Sequence, residues 1–224
     1  MTENKKEPLQ TLRIEPRWPA ALTILVVYFL LAVLPERVRL FPVWVPSVTV
    51  IVVLASMAAI PLTAAKVPWR RVEHTIMLIF FVVAGSGTLA SLVYLIRAMV
   101  RRGTEIGGLQ LLTSSIAVWV INVLTFSLLY WQIDRNGPEA RANNEGRRPD
   151  WLFPQTGVPE EAPPAWRPTF IDYLFLAFST ATAFSPTDAL PLTSRAKLLM
   201  MLESAISLTT IVVVASRAIN ILGS

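Results

Sequence analysis

Apolar residues in this chain come in blocks of about twenty, each closed by a short polar or charged stretch, and that is the length an α-helix needs to cross roughly 30 Å of hydrocarbon. The first block covers 18–34 and follows a polar leader carrying Lys5, Lys6, Arg13 and Arg17. A signal peptide would need small residues at a cleavage site after the apolar run. The chain instead reads Pro35-Glu36-Arg37-Val38-Arg39, so a retained helix is expected. A second span is predicted over 43–65, with Pro46 and Pro61 within about a turn of its ends, where a kink is cheapest. A third covers 75–96 and a fourth 109–131.

Two of these spans carry side chains that change the picture. The centre of the third reads Ala84-Gly85-Ser86-Gly87-Thr88, then Ala90 and Ser91, which sets small residues four apart, as at Ala84/Thr88 and Gly87/Ser91. Such a face suits close helix packing and, less often, a ligand groove. The fourth has Asn122 in its middle and Tyr130-Trp131 at its end. A buried Asn must find a partner, in a neighbouring helix or in a substrate or ion, while the aromatic pair is expected as interfacial anchors.

From 132 to 169 the pattern breaks. Charges of both signs appear with prolines at 138, 149, 154, 159, 163, 164 and 168, so the segment is expected to be a surface loop, its Trp151, Phe153 and Trp166 lying on the membrane interface. After it, the apolar stretch 170–184 is short for a full span and breaks at Pro186, before a long final helix over 194–219. The predicted fold is therefore all-α. It is a polytopic transmembrane bundle of about five full spans and one short, re-entrant helix, divided as a basic segment 1–17, a four-helix region 18–131, a Pro-rich loop 132–169 and a C-terminal hairpin 170–224.

Composition agrees and removes several function classes. The mean hydropathy is +0.54 and only 16% of residues are charged, against about a quarter in soluble domains. There is no Cys and a single His, His74, which excludes disulfides, thiolate nucleophiles, cysteine metal sites and a histidine-rich metal site. No catalytic constellation is visible, so no enzyme, cofactor or metal is expected. The net charge of +5 comes from basic residues grouped at helix ends, a pattern of membrane topology rather than nucleic-acid binding.

The C-terminal stretch runs Phe170-Ile171-Asp172-Tyr173-Leu174-Phe175-Leu176-Ala177-Phe178-Ser179-Thr180-Ala181-Thr182-Ala183-Phe184-Ser185-Pro186-Thr187-Asp188, then Ser194-Arg195-Ala196-Lys197-Leu198-Leu199-Met200-Met201-Leu202-Glu203-Ser204. Its order of outer helix, loop, short pore helix, filter and inner helix resembles the pore module of tetrameric potassium-type channels, over about fifty residues from Asp172 to Asn220. It is also similar to bacterial multi-helix membrane proteins with a degenerate pore-loop end. The resemblance implies a pore-loop set of Thr180, Thr182, Ala183, Phe184, Ser185 and Asp188, a homo-oligomer around an axis, and a monovalent cation as partner. The family's filter glycines are absent here. Ala183, Ser185 and Pro186 stand where the backbone would have to aim successive carbonyls at an ion, so potassium selectivity is not expected.

Glu203 stands out because it lies about nine residues into the last helix, roughly 13 Å deep at 1.5 Å per residue. A carboxylate there is expensive unless protonated, paired or wetted. An ion or proton site is one reading; a buried link to Asn122, a hydroxyl or a backbone group is the other. Arg195 and Lys197 are read as interfacial anchors and Asp172 as a helix-capping residue.

Topology adds a constraint. Six spans with the N-terminus inside put 13 Lys and Arg inside and 7 outside. A helix re-entrant from the outside reverses the bias to about 6 against 14, and one entered from the inside restores it but sets the filter equivalent on the cytoplasmic side. The expectation is a multi-pass protein of a bacterial inner membrane, cation channel-like with a degenerate filter, or a non-conducting structural or accessory protein.

Overall fold

A computed structural model of the chain describes residues 15–36, 38–42, 44–62, 67–100, 108–143, 148–164, 166–182 and 189–222. Helix α1, Trp18–Val33, opens with Pro19 in its first turn, where a missing N–H costs nothing. It ends because Leu34 precedes Pro35 and is pushed into an extended conformation (φ −57°, ψ 140°). Helices α2, Trp44–Leu62, α3, Val67–Val100, and α4, Gly108–Ile133, follow. The chain then bends sharply: Arg135, Asn136 and Gly137 all have positive φ, up to 104° at Gly137, and Pro138 starts the short α5, Pro138–Ala142. The φ of 104° at Gly137 is a conformation that side-chain-bearing residues rarely adopt, so this turn calls for glycine. The strand β1, Trp151–Leu152, and the four-residue α6, Pro154–Gly157, complete the loop before α7, Phe170–Thr182, β2, Leu190–Pro191, and α8, Ser194–Leu222.

Three stretches are long and apolar enough to cross a membrane: Arg71–Arg97, Leu109–Asn136 and Ser194–Ser216. Of the five full spans expected from hydropathy, three thus meet the length and composition of a membrane span among the described residues. Trp18–Val33, Trp44–Ala59 and Phe170–Thr182 are shorter apolar helices. The two flanking prolines of α1 explain part of its shortness, since helix cannot continue through Pro35.

Helix α4 is the hub, packing on α8, α7, α3 and α1. The direction of each helix follows from its contacts. Glu15, just before α1, bonds Trp131 and Arg141 near the end of α4, and Arg17 pairs with Glu73 near the start of α3. The Phe170 ring at the start of α7 lies 6.2 Å from the Trp131 ring, and Arg195 at the start of α8 donates to the Ile133 carbonyl at 3.3 Å. The starts of α1, α3, α7 and α8 and the end of α4 therefore share one end of the bundle. Helices α7 and α8 run side by side in the same direction, as the bond from Ser204 Oγ to the Thr180 carbonyl at 3.2 Å requires.

Sequence sets both starting points. Thr169 precedes α7, and its N–H and hydroxyl both donate to Asp172 Oδ2, at 2.7 and 2.8 Å, so Asp172 caps from inside the first turn. Thr193 Oγ1 accepts the Ala196 N–H at 3.1 Å and caps α8. The segment entering α8 is stitched to the loop by antiparallel pairing of Trp151 with Pro191 and Leu152 with Leu190.

Several expectations are corrected. Tyr130 and Trp131 are fully buried, so they are core residues at the bundle end and not interfacial anchors. Trp151 and Phe153 are also buried, packed on Tyr130 and Tyr173, because the loop folds back onto the helix ends. A side chain at Gly85 or Gly87 would meet nothing within 4 Å, so these glycines do not mediate close helix approach within the chain, although Ala84, Thr88 and Ser91 are buried. Arg195 is tied to Asp150 and to α4, while Lys197 is exposed.

Candidate functional site

The last carbonyls of an α-helix lack intrahelical partners and carry partial negative charge. At the end of α4 they are met by arginines: Arg141 Nη1 donates to Trp131 O at 3.0 Å and Asp134 O at 3.3 Å, and Arg195 donates to Ile133 O. Arg141 is buried, donates to Glu15 Oε2 at 2.9 Å, and lies over the Tyr173 ring at 4.9 Å. Asp134 accepts the Tyr173 hydroxyl at 2.5 Å and the Asp150 N–H at 2.7 Å. Asp150 in turn accepts from Thr193 at 2.6 Å and pairs with Arg195. Arg17 pairs with both Glu73 and Glu139. One connected set of charges thus fixes α1, α3, α4, α7, α8 and the loop to one another.

Glu15 lies outside the spans, and burial pushes its carboxyl above the usual carboxylate range, with Arg141 and the Trp131 N–H pulling it back down. Desolvation therefore outweighs pairing at this position.

A second polar set sits deeper, between α4 and α8. Asn122 Nδ2 donates to Ser207 Oγ at 2.9 Å and to the Glu203 carbonyl at 3.3 Å, and the Tyr130 hydroxyl donates to Glu203 Oε2 at 2.6 Å. Glu203 is 0% exposed, and its Oε1 has no partner among the described residues. The carboxyl therefore faces α4 and not the outward face of α8, which presents Leu198, Met201, Leu202, Leu208 and Val212.

Of the pore-loop residues expected from sequence, Thr180 and Thr182 lie in the last turn of α7. Their hydroxyls donate back to Leu176 O at 2.8 Å and Phe178 O at 2.9 Å, so they are spent inside their own helix. Ala183, Phe184, Ser185 and Asp188 lie outside the described residues. Asn122 and Glu203 are brought together through the Glu203 backbone, and Tyr130, Ser207, Asp134, Arg141, Tyr173 and Glu15 are partners that sequence reasoning missed. The signal for Asp134 and Arg141 was present: an acid directly after an apolar span and an arginine seven residues further on, close enough to a helix end that needs cations. Among the described residues no three His, Asp or Glu side chains group as a metal site. No family model matches the chain, and no curated protein or solved structure matches it either.

Proposed function

We propose that this chain is a multi-pass membrane protein with five spans and one re-entrant helix, α7, and that copies of it assemble around the α7–α8 module to pass monovalent cations with little selectivity. The carrying observation is that α7 and α8 start at the same end of the bundle and run in the same direction. At 13 residues α7 is about 20 Å long, too short to cross, and a connection of seven residues has a greatest reach of about 23 Å, enough to return. The chain then enters the membrane and leaves it on one side.

Two further features support the reading. The C-terminal end of α7 directs the partial negative charge of its last carbonyls toward mid-membrane, which favours a cation there. The outward apolar face of α8 calls for lipid or another copy of the chain as cover. Of the 20 Lys and Arg, 14 fall on the side from which α7 enters, so that side is cytoplasmic. The module is thus entered from the inside, opposite to potassium-type channels.

The chain has no native Cys, which makes single-cysteine labelling clean. Cysteines at the exposed Thr169 and Leu192 should react with a membrane-impermeant reagent from the same face; reaction from opposite faces overturns the re-entrant helix. Purified protein in liposomes should pass sodium and potassium at similar rates and run as a symmetric oligomer. The enclosure of Glu203 between α4 and α8 favours a non-conducting accessory protein instead. That reading prevails if a folded oligomer passes neither ion.

A further inference from the structure

The loop between α4 and α7 forms a half-open cavity of about 360 Å³ at the charged end of the bundle. Its walls include Arg135, Arg141, Arg167, Gln155, Thr156 and Trp166, and among the described residues no Asp or Glu lines it. Three guanidinium side chains thus border one cavity of ligand size. From this arrangement we infer a binding site for a phosphate-bearing anion.

The arginines are not used up by the protein. Arg141 is 2% exposed; Glu15 answers its charge through Nη2, yet its Nε has no hydrogen-bond partner among the described residues. Arg135 Nε and Gln155 Oε1 are also buried and unpartnered there. Arg167 makes a bond to the neutral Arg141 carbonyl at 3.3 Å, and neither it nor Arg135 meets a carboxylate among the described residues. Buried guanidinium N–H groups without acceptors are held at a cost, and an anion in the cavity would satisfy several at once.

Phosphate fits this wall better than a carboxylate does. Arginine forks match its tetrahedral oxygens, a second negative charge answers a second guanidinium, and the Thr156 hydroxyl adds a neutral donor. The level is that of a headgroup layer: Arg135 lies in the last turn of the span Leu109–Asn136, and Arg167 lies three residues before α7. The same chemistry can come from the phosphate of an anionic lipid or from a soluble phosphate.

The test uses the full-length wild-type protein and arginine modification by phenylglyoxal, read residue by residue by mass spectrometry. One arm adds inorganic phosphate to protein in a zwitterionic detergent free of lipid. Another compares nanodiscs of phosphatidylcholine with nanodiscs that also contain phosphatidylglycerol. Protection of Arg135 and Arg167, with the exposed Arg148 unchanged, is expected in at least one arm: the first assigns a soluble anion, the second alone a lipid headgroup. Equal labelling of Arg135 and Arg167 in every arm overturns the site. The double variant Arg135→Gln/Arg167→Gln should weaken binding of the protecting probe by about tenfold or more, while Arg148→Gln leaves it unchanged. Unchanged binding by a folded double variant also overturns it.

Discussion

In the part of the bundle made by α1, α2 and α3, most hydroxyl side chains close on their own helix, Thr23 on Pro19, Thr49 on Val45, Ser56 on Val53 and Thr88 on Ala84, while Tyr28 reaches Ser47 and Ser91 reaches the Val38 carbonyl. In the part made by α4, α7 and α8 several hydroxyls also close on their own helix, as Thr180 and Ser115 do, but more bonds cross between helices and two of them end on buried carboxyls. Tyr130 meets Glu203, Asn122 meets Ser207, Ser204 meets the Thr180 carbonyl, and Tyr173 meets Asp134. Lipid tails are as apolar as Leu, so a surface with few cross-helix bonds packs mainly by shape. Cross-helix bonds have one register only. The difference teaches where geometry is fixed: around the short helix α7, whose brief apolar length would leave it poorly anchored without Asp134, Asp150 and Arg141 at its entrance.

The largest effect should come from removing the carboxylate that joins loop, α4 and α7. Asp134→Ala strands the buried Tyr173 hydroxyl and the Asp150 N–H together. A loss of about 3–5 kcal/mol is expected in SDS-titrated unfolding of the micellar protein. A loss under about 1 kcal/mol would mean that the entrance is held by apolar packing.

Glu203 tests the deeper set. Tyr130→Phe removes one donor and leaves a carboxyl oxygen unsatisfied, which should cost about 1–2 kcal/mol, above the roughly 0.6 kcal/mol average for hydrogen bonds between membrane helices. Glu203→Gln keeps size and an acceptor for the Tyr130 hydroxyl, so stability should hold within about 1 kcal/mol, while Glu203→Leu loses the Tyr130 bond altogether. On the proposed function, any ion flux that depends on the charge of Glu203 disappears in the Gln variant. Gln equal to wild type in flux and stability, with Leu unfolded, would reduce Glu203 to a register lock.

Much of this division could be read before any coordinates. The apolar block lengths marked the helices, and the shortness of 170–184 with its break at Pro186 marked α7 as unlike its neighbours. Asn122 and Glu203 were singled out as groups in need of partners, and they share a set. What could not be read was the loop. Trp151 and Phe153 look the same in sequence whether they rest on lipid or fold into protein, and the choice is made by contacts far along the chain, such as Glu15 with Arg141. The glycines misled for a related reason: Gly85 and Gly87 resemble a packing motif, but spacing does not say whether a neighbour is there.

That last point gives a variant that should raise stability. Gly87→Ala places a methyl group where nothing lies within 4 Å and removes a flexible residue from the interior of α3. A gain of about 0.5–1 kcal/mol is expected in the same unfolding titration. Loss of stability, or dissociation of an oligomer, would show that this face of α3 is used between copies of the chain, and the α1–α3 half would then carry a register of its own.

The smallest effect separates charge from packing at the junction of the two halves, where Glu15 joins the start of α1 to Trp131 and Arg141. Its folded pKa is raised, so between the ordinary carboxyl value of 4.5 and that higher folded value the native state holds more protons than the unfolded state. Stability contributed by Glu15 is therefore fully present below about 4.5 and declines as pH rises through the folded pKa. Glu15→Gln lacks that titration but can still accept from Trp131. The thermal midpoint of wild type minus that of Glu15→Gln should fall as pH increases across this window and level off above it. A difference that instead grows with pH would mean that the Arg141 pair outweighs desolvation, making the junction a net electrostatic clamp. A difference flat in pH would place the carboxyl in water, and α1 would then be free to part from the α4 end.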